Sequence, residues 1–270
     1  MKALSKIVVV CLLSLAVSCQ NQITQEKEMS TNKSMVVAHR GASHYAPENT
    51  VASAKLAWEQ NADAVEVDVH LSLDSQIIVM HDYNTERTCG KKFVIKETAS
   101  DTLKTLDAGS FKDEKYVGEP VPLLAEIIET IPTGKLLFIE IKSEKNIVPI
   151  LKKQFGHDPK KDQFVFIAFD YETIVDTKKA FPDNKAYWLS SKFKEDTNTV
   201  LQRVKDDGLD GVDLSQSIVT PEIMQIAESK GLEVHCWTVN SMKKVKKLNE
   251  LGVQGITTNK PDSVLAVLSK

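Results

Sequence analysis

Eight times between residues 35 and 268, a short apolar run gives way to an amphipathic stretch. Runs at 35–39, 64–70, 136–141, 164–169, 186–190, 211–214, 233–239 and 255–258 read as strands. Stretches at 50–60, 122–131, 145–154, 171–180, 194–206, 221–229, 241–251 and 261–268 read as helices. Asn49, Thr220 and Ser241 stand where helix N-caps belong, and Pro221 suits a first helical position. Eight β-then-α units predict an α/β chain closed into a (β/α)8 TIM barrel, which usually takes about 250 residues. A doubly wound open sheet is the alternative. One segment breaks the rhythm. Residues 71–120 follow the second strand and contain a further strand-like run at 76–81. A connection that long is usually functional, and it is expected as an insertion at the catalytic end of the barrel.

The first residues follow another logic. Lys2 and Lys6 give a positive start, residues 7–17 are apolar apart from Cys11 and Ser14, and small residues precede Cys19. The run is too short for a membrane span and suits a signal segment. It resembles a bacterial lipoprotein signal, although Leu15 stands one position earlier than usual. Residues 1–18 are then the signal peptide, and Cys19 carries a lipid. Residues 19–34 form a polar tether and 35–270 the barrel. The alternatives are ordinary cleavage or an uncleaved anchor. On the lipoprotein reading the protein is exported and sits membrane-anchored on the periplasmic or extracellular side. The remaining Cys89 and Cys236 are too few and too far apart for a disulfide scaffold, and free thiols are expected. The net charge of -3 comes from interspersed residues of both signs, which gives no basis for nucleic-acid binding. Nothing in the sequence sets an oligomeric state.

The strand "AVEVDVH" puts Val65, Val67 and Val69 on one face and Glu66, Asp68 and His70 on the other. "LLFIEIK" adds Glu140 and Lys142 on a common face. Buried carboxylates that close together need a cation, and an all-oxygen set suits one Mg²⁺ or Ca²⁺. A salt-bridged structural cluster is the bland alternative. His39 and His81 both end apolar runs, and a pair of histidines can exchange protons as base and acid. Arg40 adds a fork suited to phosphate. Together these residues describe a phosphoryl-transfer site.

The chain resembles the glycerophosphodiester phosphodiesterase family. The resemblance rests on "AHRG" and "PENT" (38–41, 47–50), "VEVDVHLSLDSQIIVMHD" (65–82), "LKTLDAGSF" (103–111), "IEIK" (139–142), "WTVN" (237–240) and "GVQGITTNKP" (252–261). It implies a (β/α)8 barrel with an insertion after the second strand. It implies His39 and His81 as the acid–base pair, Glu66, Asp68 and Glu140 as ligands of one divalent cation, and Arg40 and Lys142 as phosphate contacts. Trp237 becomes a pocket wall on the glycerol side. Glu48 is implied near the metal or Arg40, and Asn49 supports the site or caps a helix. Ser72, Ser75 and Asn259 depart from the family's usual Thr, Gly and Asp. The implied reaction converts glycerophosphodiesters such as glycerophosphocholine or glycerophosphoethanolamine to glycerol 3-phosphate and an alcohol. Two alternatives stand beside it: a phospholipase D-like or lysophospholipid phosphodiesterase on the same site, and a non-catalytic surface-binding barrel.

Other residues carry blander expectations. His44 and His157 read as surface residues and His70 as a neighbour of the site. His235 reads as a core histidine or an interior one beside Trp237, and Asp213 as a pocket or buried acid. Lys243, Lys244, Lys246 and Lys247 read as a solvated helix face.

Overall fold

The second strand shows why the alternation closes into a barrel. Val65, Val67 and Val69 pack in the main apolar core with residues of the surrounding helices. Ala64 belongs to a separate interior cluster with Val37, Phe138, Val165, Ile167, Tyr187 and Leu189. A parallel sheet carries helices on one face and must bury the other against itself.

The computed structural model describes residues 33–143 and 145–269. The strands are β1 (Met35–His39), β2 (Ala64–Leu71), β3 (Ile77–Val79), β4 (Leu136–Ile141), β5 (Phe164–Ala168), β6 (Lys185–Ser190), β7 (Gly211–Ser215), β8 (Glu233–Trp237) and β9 (Gly255–Thr258). Eight of them are parallel, run β1-β9-β8-β7-β6-β5-β4-β2, and close through a β1–β2 pairing. β3 folds back antiparallel on β2 outside this ring. The (β/α)8 barrel with an insertion after its second strand is therefore the observed architecture.

The helices are α1 (Val51–Glu59), α2 (Glu86–Cys89), α3 (Ser100–Lys104), α4 (Leu124–Glu129), α5 (Val148–Phe155), α6 (Tyr171–Ala180), α7 (Thr197–Asp206), α8 (Pro221–Lys230), α9 (Met242–Glu250) and α10 (Pro261–Leu268). Several expected starts move. α5 begins after a 3-10 turn, Lys145–Ile147, and α7 begins only after Asp196, whose carboxylate caps it. Thr220 caps α8 as expected, with Pro221 in its first turn. Ser241 occupies the N-cap position of α9 without a capping bond from its exposed side chain. Asn49 does not cap α1. Thr50 does, through a capping box with Ser53, because Asn49 is turned toward the barrel mouth.

The insertion is a small folded layer. After β3 it carries α2, α3 and short turns around its own apolar cluster of Ile78, Met80, Ile95, Leu103, Leu106, Ala108 and Val121. Ser75, where the family resemblance implies Gly, holds φ at +62° in the tight turn between β2 and β3. The turn survives the substitution at a cost of about 1 kcal/mol in backbone strain.

The barrel interior is filled. The Tyr187 ring stacks on Phe138 at 6.3 Å, and His235 tilts against Tyr187 at 4.4 Å. His235 is fully buried, with Glu233 at 3.7 Å, so it is a core histidine. Burial holds its imidazole neutral by lowering its pKa. Cys89 and Cys236 are both free thiols. Lys243, Lys244, Lys246 and Lys247 are exposed, as are His44 and His157.

The expected signal segment 1–18, Cys19 and the tether through residue 32 lie outside the described residues. Ser34, the last residue of that tether, is buried and donates its hydroxyl to Val253 O at 2.7 Å. Among the described residues, no helix is long and apolar enough to cross a membrane.

Candidate active site

Strand register assembles the acidic centre. Asp68 of β2 and Glu140 of β4 are direct neighbours across the parallel pair, and Glu66 lies one inward position before Asp68. One carboxylate oxygen from each lies within 4.8 Å of those from the other two, and all three residues are buried. Glu66 Oε1 and Asp68 Oδ1 have no hydrogen-bond partner. Burial, with the charges of Asp68 and Glu140, pushes the Glu66 carboxyl well above its ordinary range. Burial and Asp68 push Glu140 up to about 7 against the pull of Lys142.

Two cations offset part of this charge. Lys142 Nζ lies 2.8 Å from Glu140 Oε1 and 3.5 Å from Asp68 Oδ1. Arg40 Nε lies 3.1 Å from Asp68 Oδ2, and the Arg40 backbone N–H donates to Glu66 Oε2 at 2.9 Å. Three buried carboxylates against two cations remain underbalanced, and Glu66 Oε1 is left without a partner. The donor set fits a divalent cation.

The turn after β1 aims Arg40. Arg40 (φ +55°) and Gly41 (φ +76°) are both left-handed. A Cβ on Gly41 would meet Ser53 Oγ at 2.4 Å, so the close approach here is to α1, and only Gly fits. His39 ends β1 in register with Glu66. Its Nδ1 meets Asn259 Oδ1 at 2.7 Å. Burial and the adjacent Arg40 lower the His39 pKa to about 4. The Asn259 main-chain N–H is in turn held by Asn240 of "WTVN" at 2.9 Å.

His81 lies beyond the end of β3, at the start of the insertion. Its Nδ1 meets Asp82 Oδ1 at 2.7 Å. His70 Nε2 holds the His81 carbonyl at 3.1 Å, which places His70 behind His81 and not among the carboxylates. Asn49 is left-handed (φ +57°) and grips Asp68 twice. Its amide donates to Asp68 Oδ2 at 2.8 Å and accepts the Asp68 N–H at 3.1 Å. Glu48 stands against Arg40, with Nη1 at 2.9 Å, and against Arg87. Burial opposes its ionisation, but hydrogen bonds from Arg87 and the charge of Arg40 hold its pKa at about 2.

Trp237 ends β8, donates to Asp213 O at 3.1 Å and meets Phe169 edge-on at 5.4 Å. Lys142 Nζ lies 5.8 Å from the other aromatic partner's centroid, that of Phe169, so these rings adjoin the charged centre. Asp213 is buried in the interior, and burial with the nearby Glu140 raises its pKa well above the usual carboxylate range. It is a buried acid of the barrel interior.

The sequence profile of the glycerophosphoryl diester phosphodiesterase family matches residues 39–263, and so spans the barrel. The chain belongs to the glycerophosphoryl diester phosphodiesterase family. It is accordingly an enzyme, of the phosphoric diester hydrolase class. It is 30% identical over 243 residues to a glycerophosphodiester phosphodiesterase of Caldanaerobacter subterraneus, covering 88% of this chain and 99% of that one. It is also 30% identical to a glycerophosphodiester phosphodiesterase of Bacillus subtilis, covering 93% of this chain and 92% of that one. Among solved structures, an Oleispira antarctica phosphodiesterase in complex with sn-glycerol-3-phosphate superposes with a TM-score of 0.78. That match has 30% identity and covers 87% of this chain and 97% of that one.

Within this member of the family, three neighbours of the site escape a reading of single motifs. Asp82 and Arg87 join the His81 end to Glu48, and Asn259 holds His39. The His-Asp dipeptide at 81–82 was a visible signal for the first. Asn259 stands where the family resemblance implies Asp, and its uncharged side-chain carbonyl makes the bond to His39. Arg87 has no local signal, because its partners lie in two other loops.

Proposed function

We propose that the chain hydrolyses glycerophosphodiesters such as glycerophosphocholine and glycerophosphoethanolamine, releasing glycerol 3-phosphate and an alcohol. One observation carries this reading: His39, Arg40 and Lys142 border a buried Glu66–Asp68–Glu140 cluster, and a chain of ion pairs ties His81 to the same Arg40. The names of the Caldanaerobacter and Bacillus relatives and the product in the Oleispira structure support the substrate class.

Glu66, Asp68 and Glu140 would hold Mg²⁺ or Ca²⁺, which when bound offsets the negative charge of the diester. Arg40 and Lys142 bind the phosphoryl oxygens and stabilise charge that builds there. With the Asn259 carbonyl against it, His39 Nδ1 carries the proton and Nε2 keeps its lone pair. His39 is thus the base, taking the proton of the attacking hydroxyl: water displaces the alcohol and gives glycerol 3-phosphate directly, whereas the substrate's own 2-hydroxyl gives a cyclic phosphate that a water molecule then opens. His81 is oriented by the Asp82 carboxylate at its Nδ1, and as the general acid it donates a proton to the alcohol as the P–O bond breaks. Trp237 forms the wall on the glycerol side.

The test is release of glycerol 3-phosphate from both diesters, with and without a chelator. Release is expected and is lost on chelation, then restored by Mg²⁺ or Ca²⁺. No release from either diester with metal present sinks the reading, and indifference to chelator sinks the metal assignment. Preferential turnover of lysophospholipid would favour the alternative substrate class.

We further propose export and lipid anchoring at Cys19, on the strength of the charged start, the apolar run and the small residues before that cysteine. A clickable fatty acid is expected to label the wild type in cells and not Cys19→Ser. An unlabelled wild type overturns the anchor.

A further inference from the structure

We propose that Arg87 is a positioning residue that sets His81 and Arg40 at once, through one carboxylate each. The inference rests on the functional reading above and extends it to a residue of the insertion.

The geometry is a double fork. Arg87 Nε donates to Asp82 Oδ2 at 2.7 Å and Nη2 approaches Asp82 Oδ1 at 3.3 Å. On its other edge, Nη1 donates to Glu48 Oε2 at 2.9 Å and Nη2 to Glu48 Oε1 at 2.8 Å. Each carboxylate then reaches a residue of the mechanism: Asp82 Oδ1 holds His81 Nδ1, and Glu48 Oε1 holds Arg40 Nη1. A planar guanidinium can serve two carboxylates in this way, whereas an ammonium offers a point charge.

A purely stabilising role explains this poorly. The Arg87 side chain is 44% exposed, and ion pairs that open to solvent contribute little to stability. Charge explains more. Arg40 is shared between Glu48 and Asp68, so Arg87 is the cation that offsets Glu48 and Asp82 where an anionic diester must arrive. Removing Arg87 leaves two carboxylates facing one guanidinium. Asp82 loses the partner that orients it, and with it the His81 ring. The uncompensated charge of Glu48 then competes with substrate phosphate for Arg40.

The insertion supplies the rigidity. α2, which carries Arg87, is a single turn. It is tied down by the bond from Thr85 Oγ1 to Lys91 O at 2.6 Å and by Thr88, buried against Met80 of the insertion core. The inserted layer therefore delivers a cation into a site whose carboxylates and first histidine come from the barrel.

The experiment compares kcat and KM on glycerophosphocholine for wild type, Arg87→Met, Arg87→Lys, Glu48→Gln and Arg87→Met/Glu48→Gln, each checked for folding by thermal melting. Arg87→Met is expected to lower kcat at least tenfold and raise KM severalfold, and Arg87→Lys to recover little of either. Adding Glu48→Gln to Arg87→Met should return KM toward wild type while kcat stays low, because the excess charge is gone but Asp82 is still unheld. Values within twofold of wild type for Arg87→Met, or a KM that Glu48→Gln leaves untouched, overturn the proposal. Should Arg87→Met fail to fold, a fully active Arg87→Lys overturns it as well. An inactive wild type would count against the functional reading instead. The ¹⁵N signature of the His81 Nδ1–H bond to Asp82 then decides the positioning role without turnover: it is expected in wild type and lost in Arg87→Lys, and its persistence there overturns the role.

Discussion

His39→Ala and His81→Ala each lower the rate of glycerol 3-phosphate release by ~10²–10⁴-fold, the range that a positioned acid or base contributes, while His44→Ala stays near wild type. The contrast follows from what the three rings touch. His39 abuts Arg40 and is fixed by Asn259, and His81 is fixed by Asp82. The His44 ring is exposed and packs edge-on against the Tyr45 ring at 4.7 Å, and it is the main chain of His44 that donates to Asn259 O at 3.1 Å. Removing either catalytic ring also leaves its partner in place, so binding of the diester should suffer less than kcat. Steady-state kinetics on the three variants checks this. Near-normal kcat in either of the first two removes that histidine from proton transfer.

The second large effect is on stability, and it depends on pH. In the metal-free protein Glu66 and Glu140 titrate above their unfolded values. A carboxyl raised on folding contributes stability that is fully present below its unfolded pKa of about 4.5, and that contribution is lost as pH climbs through the folded value, about 7 for Glu140. A bound cation removes the repulsion, and protons compete with it for the same oxygens. The rise in Tm on adding Mg²⁺ or Ca²⁺ should therefore be small near pH 5 and grow toward pH 8. At a hundredfold excess over Kd it reaches roughly 5–10 °C for a domain of this size. His39 and His235 run the other way: their pKa values are lowered, so their contribution is lost as pH falls below the unfolded value toward the folded one, about 4 for His39. For that reason the metal-induced increment is the readout and the absolute Tm is not. Glu66→Gln should melt higher than wild type without metal and respond less to it. Melting curves across pH check both statements. An increment flat from pH 5 to 8, or an undiminished response in Glu66→Gln, would remove the triad as the cation site.

The barrel was legible because two-residue parity and eight repeats are strong periodic signals. β1, β4 and β9 fall on the expected residues, and the same parity that sent Val65, Val67 and Val69 outward placed Glu66 and Asp68 inward. Glu140 follows from parity plus register, since it pairs with Asp68. The insertion was harder to read. α2 and α3 span a turn or so each and carry no helical period, and their apolar residues serve a separate small core. Asn49 illustrates a different limit. A residue one place before a capping threonine looks like a cap, and only the left-handed turn of the folded chain sends its amide to Asp68. Arg87 lies 39 residues from Glu48, and their meeting depends on how the inserted layer folds back over the mouth.

The packing of Phe138, Tyr187 and His235 beneath the carboxylates has a consequence for traffic. With those rings filling the interior below, the proposed cation and diester would reach the carboxylates from the end of the barrel that carries His39 and Trp237. The carboxylates are buried while His39 and His81 are partly open to solvent, so the acidic centre lies deeper than the two histidines. On the proposed function, a cation held by those carboxylates is therefore expected to load before the diester docks.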